Sequence, residues 1–97
     1  QGDLLMLVKP QFEAGRVEAT KGQGVIRNPA VWQRVLEEIR ECVLKAKFGI
    51  LGVMVSPLRG ANGNIEFFVH CRPGVDSLIN GESIDNAIDE AQEMVLS

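Results

Sequence analysis

Two residues far apart in this chain have the types and setting for acid–base chemistry at a hydroxyl. Lys9 stands at the end of the apolar run Leu4-Leu5-Met6-Leu7-Val8, and Glu66 lies at the start of another, in "NGNIEFFVHC". A lysine at a strand end serves as a solvated charge, as a phosphate anchor or as a general base, the last only once desolvation or a nearby cation has driven off its proton. A glutamate beside it orients the amine or accepts a hydrogen bond from the reacting hydroxyl. The bland alternative, a salt bridge at a strand end, is common and stays open at this point.

Other chemistry-bearing residues carry weaker signals. Glu13 reads as well as solvated loop charge. His70 alternates with Glu66, Phe68 and Arg72 on one strand face, away from the rim, and reads as a half-buried structural histidine. Arg16, Lys21 and Arg27 could touch phosphates, and a solvated loop explains them equally. Trp32 falls on an apolar stripe and reads as core. Cys42 and Cys71 are isolated, with no C-x-x-C spacing and one histidine in the chain, so about four zinc ligands are not at hand; reduced thiols and no metal site are expected.

The elements that must position Lys9 and Glu66 follow from pattern. Residues 4–8 are apolar without alternation, which suits a strand buried on both faces, and Pro10 stops it. Residues 11–28 read as one long loop, of a length usual for functional or disordered segments. Asn28-Pro29 is a helix start, with Trp32, Val35, Leu36, Ile39, Val43 and Ala46 on one stripe and Gly49 as its end. Residues 50–55 form a second strand, "SPLRGANGN" a turn-rich connection, and residues 65–71 a third strand. A last helix starts at Ser83 and turns Ile84, Ala87, Ile88, Ala91, Met94 and Val95 to one side.

This order predicts an α/β fold in which the first two strands are parallel, joined by a right-handed crossover, and the hairpin makes the third antiparallel to them. Ligands of open α/β sheets bind beyond the carboxyl ends of the parallel strands. Lys9 and Ser56 follow such ends, and the reversed third strand begins there with Asn64-Ile65-Glu66. Topology alone thus brings Lys9 and Glu66 to one rim. With three strands and few helices, one face and the edge at the first strand are expected to be bare.

Composition bounds the function. The 97 residues make one domain, with 45% hydrophobic and 24% charged residues and a net charge of −3. The segment after Val75 is acidic throughout, so the chain would not hold polyanionic RNA by charge alone. No apolar stretch approaches the length of a membrane span and none reads as a signal peptide, so the expected compartment is the cytoplasm, with no membrane partner.

The segments "LVKPQFEAGR", "GVIRNPAVW" and "SPLRGANGNIEF", in that order, resemble the hemolysin-type (TlyA) family of ribosomal RNA methyltransferases, within the wider FtsJ-like group. The resemblance covers most of residues 4–72. It implies a Rossmann-like, S-adenosylmethionine-dependent methyltransferase sheet, preceded in the family by an RNA-binding domain. It also implies methylation of a ribose 2′-hydroxyl on ribosomal RNA by a Lys-Asp-Lys-Glu tetrad. Lys9 matches the lysine of the "KPQFE" motif, implied to be the general base, and Glu66 the glutamate of the "GNIEF" motif, which positions it. The tetrad's other lysine and its aspartate have no counterpart here, nor does a glycine-rich cofactor loop. Residues 1–97 are therefore expected to be the C-terminal part of such a domain, without the cofactor-binding half or the RNA-binding domain, and inactive alone. A different class of function is a non-catalytic module that pairs with a partner or a second copy through its exposed sheet edge. A cytolysin, which the family's older name suggests, is disfavoured by the acidic last helix and the absence of a spanning segment.

Overall fold

A computed structural model describes residues 2–13 and 25–96 of the chain. The elements are β1 (Leu4–Val8), α1 (Pro10–Glu13), α2 (Pro29–Lys45), β2 (Phe48–Val55), a 3₁₀ turn (Ala61–Gly63), β3 (Phe67–Pro73) and α3 (Gly81–Leu96). Most of the long loop expected over residues 11–28, including Arg16 and Lys21, lies outside the described residues. Its beginning does not: Pro10 ends the strand but also opens a helical turn, because its fixed φ suits a first helical position.

The three strands form one sheet in the order β1-β3-β2, with every ladder antiparallel. This corrects the expected arrangement. β1 and β2 do run in the same direction, since both oppose β3, but they share no ladder; β3 lies between them. The central place suits its sequence, because Phe67, Val69 and Cys71 are all 2% exposed or less. A β-bulge at Leu51 shifts the β2 register between Ile50 and Gly52.

α2 begins as the sequence predicts. Asn28 is the N-cap, its side chain accepting from the Ala30 amide, with Pro29 at the first helical position. The helix ends earlier than expected. Ala46 is the C-cap and Lys47, at φ 64°, takes the left-handed turn that Gly49 was expected to make. Gly49 instead sits in β2, where a Cβ would come within 2.8 Å of the Asp76 backbone. α3 starts at Gly81, two residues before the expected start; Ser83 and Asn80 exchange backbone-to-side-chain hydrogen bonds across its entry.

α2 and α3 pack against each other and against β2, and one core cluster joins them to the sheet. Trp32, 1% exposed, meets Phe67 edge-on with ring centroids 6.2 Å apart. Ala46 and Val95, expected on apolar stripes, are exposed. Along β1, Leu4, Met6 and Val8 share the helix-covered face with Cys71, Val69 and Phe67, as their register requires. Leu5, Leu7 and Met54 point to the opposite face and are 64%, 43% and 52% exposed. The expected bare face and bare β1 edge are thus present among the described residues, and of the β1 run, expected to be buried on both faces, only Val8 is buried and Met6 half-buried. Of the thiols, Cys71 is buried and Cys42 exposed. No described helix is long and apolar enough to cross a membrane, and no metal-holding group of three His, Cys, Asp or Glu residues occurs among the described residues.

Candidate functional site

Val8 and Val55 both pair with Phe67, so the ends of β1 and β2 and the start of β3 meet at one rim. Lys9, Ser56 and Glu66 each lie one residue beyond that common level. The juxtaposition expected from strand directions therefore holds, even though the strand order differs.

Glu66 is held from several sides. Its carbonyl accepts the Ser56 N–H at 2.8 Å, which continues the β2–β3 ladder by one bond. The fully buried Phe67 anchors the next residue. The side chain is itself buried, 7% exposed, and its Oε2 accepts a hydrogen bond from Gln11 Nε2 at 3.1 Å. Gly60 closes the other side: a Cβ there would overlap Oε2 and Cδ and reach 3.0 Å from Oε1. The connection that carries Gly60 is pinned in turn. Gly60 N–H donates to the Asn64 carbonyl at 2.8 Å, and the buried Asn64 side chain accepts from Ile26 N–H and donates to the Ala61 carbonyl, each at 2.9 Å. Asn62 and Gly63 take positive φ to make the turn, as the Asn-Gly pair suggests.

Lys9 is held by its backbone. Its carbonyl accepts the amides of Phe12 at 2.9 Å and Glu13 at 3.0 Å, capping the α1 turn. Its Nζ lies 5.9 Å from the centroid of the exposed Phe12 ring, a cation–π distance. Among the described residues no carboxylate lies within 4.0 Å of that Nζ. The rim therefore carries a fixed carboxylate on the strand next to Lys9, whose amine makes no ion pair among the described residues.

The remaining candidates fall elsewhere. Glu13 and Arg27 are exposed. His70 lies on the uncovered face, where its Nε2 is 2.6 Å from Asp3 Oδ2, while Arg72 binds Asp3 in a fork at 2.7 and 3.0 Å. The Arg72 guanidinium first, and His70 second, hold the Asp3 carboxyl well below the usual carboxylate range. This cluster ties the start of β1 to β3 and is remote from the rim.

Gln11 and Gly60 were missed by sequence reasoning. The first lies two residues from Lys9 and 55 from its partner, and no local pattern signals the pairing. The second sits in a turn-rich stretch where glycine needs no special reason. An adenosyl-sulfonium cofactor would require an open glycine-rich turn or an acidic ribose anchor beyond a strand. Lys9-Pro10 and Ser56-Pro57 follow the strand ends instead, and the Glu66 carboxylate already fills the space beside Gly60. The described residues do not form a site for that group.

Comparison with known proteins gives the chain its relatives. The chain is 32% identical over 89 residues to the 16S/23S rRNA (cytidine-2'-O)-methyltransferase TlyA of Mycobacterium tuberculosis, covering 92% of this chain and 33% of that protein. It is 41% identical over 68 residues to YqxC of Bacillus subtilis, a candidate rRNA methyltransferase, covering 70% of this chain and 24% of that protein. A solved structure of a candidate hemolysin from Streptococcus thermophilus superposes with a TM-score of 0.86 at 32% identity, covering 98% of this chain and 34% of the other. The chain thus spans about a quarter to a third of the length of these relatives. The FtsJ-like methyltransferase family matches residues 2–72, which include both rim residues and all three strands except the last residue of β3. The chain belongs to the FtsJ-like methyltransferase family.

Proposed function

We propose that this chain is the C-terminal part of a Rossmann-like methyltransferase domain that modifies a ribose 2′-hydroxyl of ribosomal RNA. In this reading Lys9 and Glu66 serve the hydroxyl, and the S-adenosylmethionine site lies in a part of the domain outside this chain. The observation that carries it is the rim: Lys9, whose amine makes no ion pair among the described residues, and an immobilised Glu66 carboxylate stand at adjacent strand ends within the segment that the family match includes. Lys9 takes the hydroxyl proton, and Glu66 accepts a hydrogen bond that orients the amine or the hydroxyl. The uncovered sheet face and the β1 edge are where the remainder of the domain packs and pairs, extending the sheet with parallel strands. By its similarity to rRNA methyltransferases, we read the whole protein as cytoplasmic and RNA-directed, with most of its substrate affinity outside this acidic chain.

The test is methyl transfer to ribosomal RNA by this chain alone and by a chimera in which it replaces the matching third of the Mycobacterium tuberculosis methyltransferase. The chimera is expected to be active and the chain alone inert. Lys9→Ala in the chimera should lower kcat by about 10²–10⁴-fold, the usual worth of a positioned general base, with cofactor affinity unchanged. A Lys9→Ala chimera as active as its parent refutes the role of Lys9.

A second reading rests on the same apolar face. Leu5, Met54, Phe68 and His70 line a shallow groove on it, and a second copy of the chain could cover it. A concentration-dependent dimer, dispersed by Leu5→Lys and indifferent to Lys9→Ala, would favour that module over the methyltransferase fragment.

A further inference from the structure

The side chain of Gln11 has the geometry of a group that exists for Glu66. It is 8% exposed and sits in the α1 turn whose amides bind the Lys9 carbonyl. Its Nε2 donates to Glu66 Oε2 at 3.1 Å. The orientation is forced, because a carboxylate only accepts hydrogen bonds and must face the amide nitrogen. The consequence is that Gln11 Oε1 is buried without a hydrogen-bond partner among the described residues. A glutamine kept for packing or for general polar satisfaction would use both ends of its amide. This one uses the end that meets the carboxylate, at the cost of leaving the other unmet.

We propose that Gln11 is a positioning residue: its amide fixes the Glu66 carboxylate and locks it to the short turn that carries Lys9. The inference rests on the reading of Lys9 and Glu66 given above and extends it to a third side chain. Gln11 neither touches the hydroxyl nor moves a proton. It sets the separation of the two groups that do, since one hydrogen bond spans from the end of β1 to the start of β3.

The experiment uses two substitutions. Gln11→Met keeps the length and removes both amide groups. Gln11→Glu keeps the shape and sets a carboxylate against a carboxylate, which serves if the first variant fails to fold. In the 97-residue chain, Glu66 side-chain couplings are measured by NMR. A single rotamer is expected in the native chain and rotamer averaging in both variants. A single unchanged rotamer in both overturns the inference, whatever is found for catalysis. In the chimera, Gln11→Met should lower kcat roughly tenfold or more, as loss of a hydrogen bond to a charged group would, with KM little changed and no further loss when added to Glu66→Gln. Additive losses overturn it, because a residue acting through Glu66 has nothing left to do once Glu66 is altered. Rotamer averaging with full activity in both Gln11→Met and Glu66→Gln removes the catalytic reading of Glu66 and this inference with it, leaving only a structural contact.

Discussion

Replacing Gly60 by alanine asks whether the Glu66 carboxylate is truly held where the rim needs it. The backbone at Gly60 has φ −83° and ψ −159°, which an L-residue adopts without strain, so any penalty is steric. The new Cβ would overlap Oε2 and Cδ of Glu66. Those atoms end a flexible side chain, so the carboxylate yields and the backbone stays. Moving it breaks the hydrogen bond from Gln11 and leaves that amide buried with neither end satisfied. A hydrogen bond to a charged group is worth about 1.5–3 kcal/mol. Exchange of glycine for alanine at a compatible backbone returns about 0.4–1 kcal/mol through the unfolded state. The net cost is about 1–2 kcal/mol, which lowers Tm by roughly 4–16 °C in a domain of this size. Thermal unfolding by circular dichroism measures it, and the side-chain amide resonances of Gln11 report the contact directly. A Tm equal to or above that of the native chain, with those resonances unmoved, would refute the placement of Glu66 between Gln11 and Gly60.

Two further outcomes follow from groups away from the rim. Cys42 should react with a thiol reagent in the native chain while Cys71 reacts only on unfolding, because Cys71 is fully buried and burial pushes its thiol pKa up; native-state labelling of both at similar rates would contradict the described packing of β3. Asp3 is ionised more readily in the folded chain than its unfolded carboxyl at about pKa 3.9. Its bonds to Arg72 and His70 therefore stabilise above that pH, and this contribution is lost as pH falls through the lower folded value. The stability difference between the native chain and Asp3→Asn, followed by denaturant melts, should shrink below about pH 4; a difference that widens on acidification would reject the pairing.

The part of the fold legible in sequence is the part decided locally or by direction. Asn28-Pro29 announces α2 because a cap and a first-turn proline act within a few residues. That the end of β1 and the start of β3 share a rim was legible because a crossover helix and a hairpin fix which way each strand runs, and direction alone decides which ends lie together. Strand order was not legible. Three apolar segments offer no local mark of which one lies in the middle, and β3 takes that place through ladders to residues tens of positions away. The end of α2 was misread for a different reason: Lys47 accepts the left-handed conformation two residues before the glycine that the pattern favoured. Gln11 was invisible because the need for it arises only once Glu66 is buried, and burial is a property of the folded rim.

The two rim residues also differ in how they are held, and the difference matches the work assigned to each. Glu66 is over-determined: a backbone hydrogen bond, a buried neighbour, a side-chain donor and a closing glycine leave its carboxylate one place. A group whose part is to orient others gains from such rigidity, since a displacement of about 1 Å can cost on the order of 10²-fold in rate. Lys9 is fixed at its carbonyl, while its amine rests against the exposed Phe12 ring with no carboxylate partner among the described residues. In the proposed reaction, a base that must meet a hydroxyl and carry its proton away needs that freedom. An ion pair with Glu66 in the resting state would have to be broken before either group could serve the substrate. The fold avoids this by spending its buried contacts on the carboxylate and by letting Gln11, rather than Lys9, satisfy it.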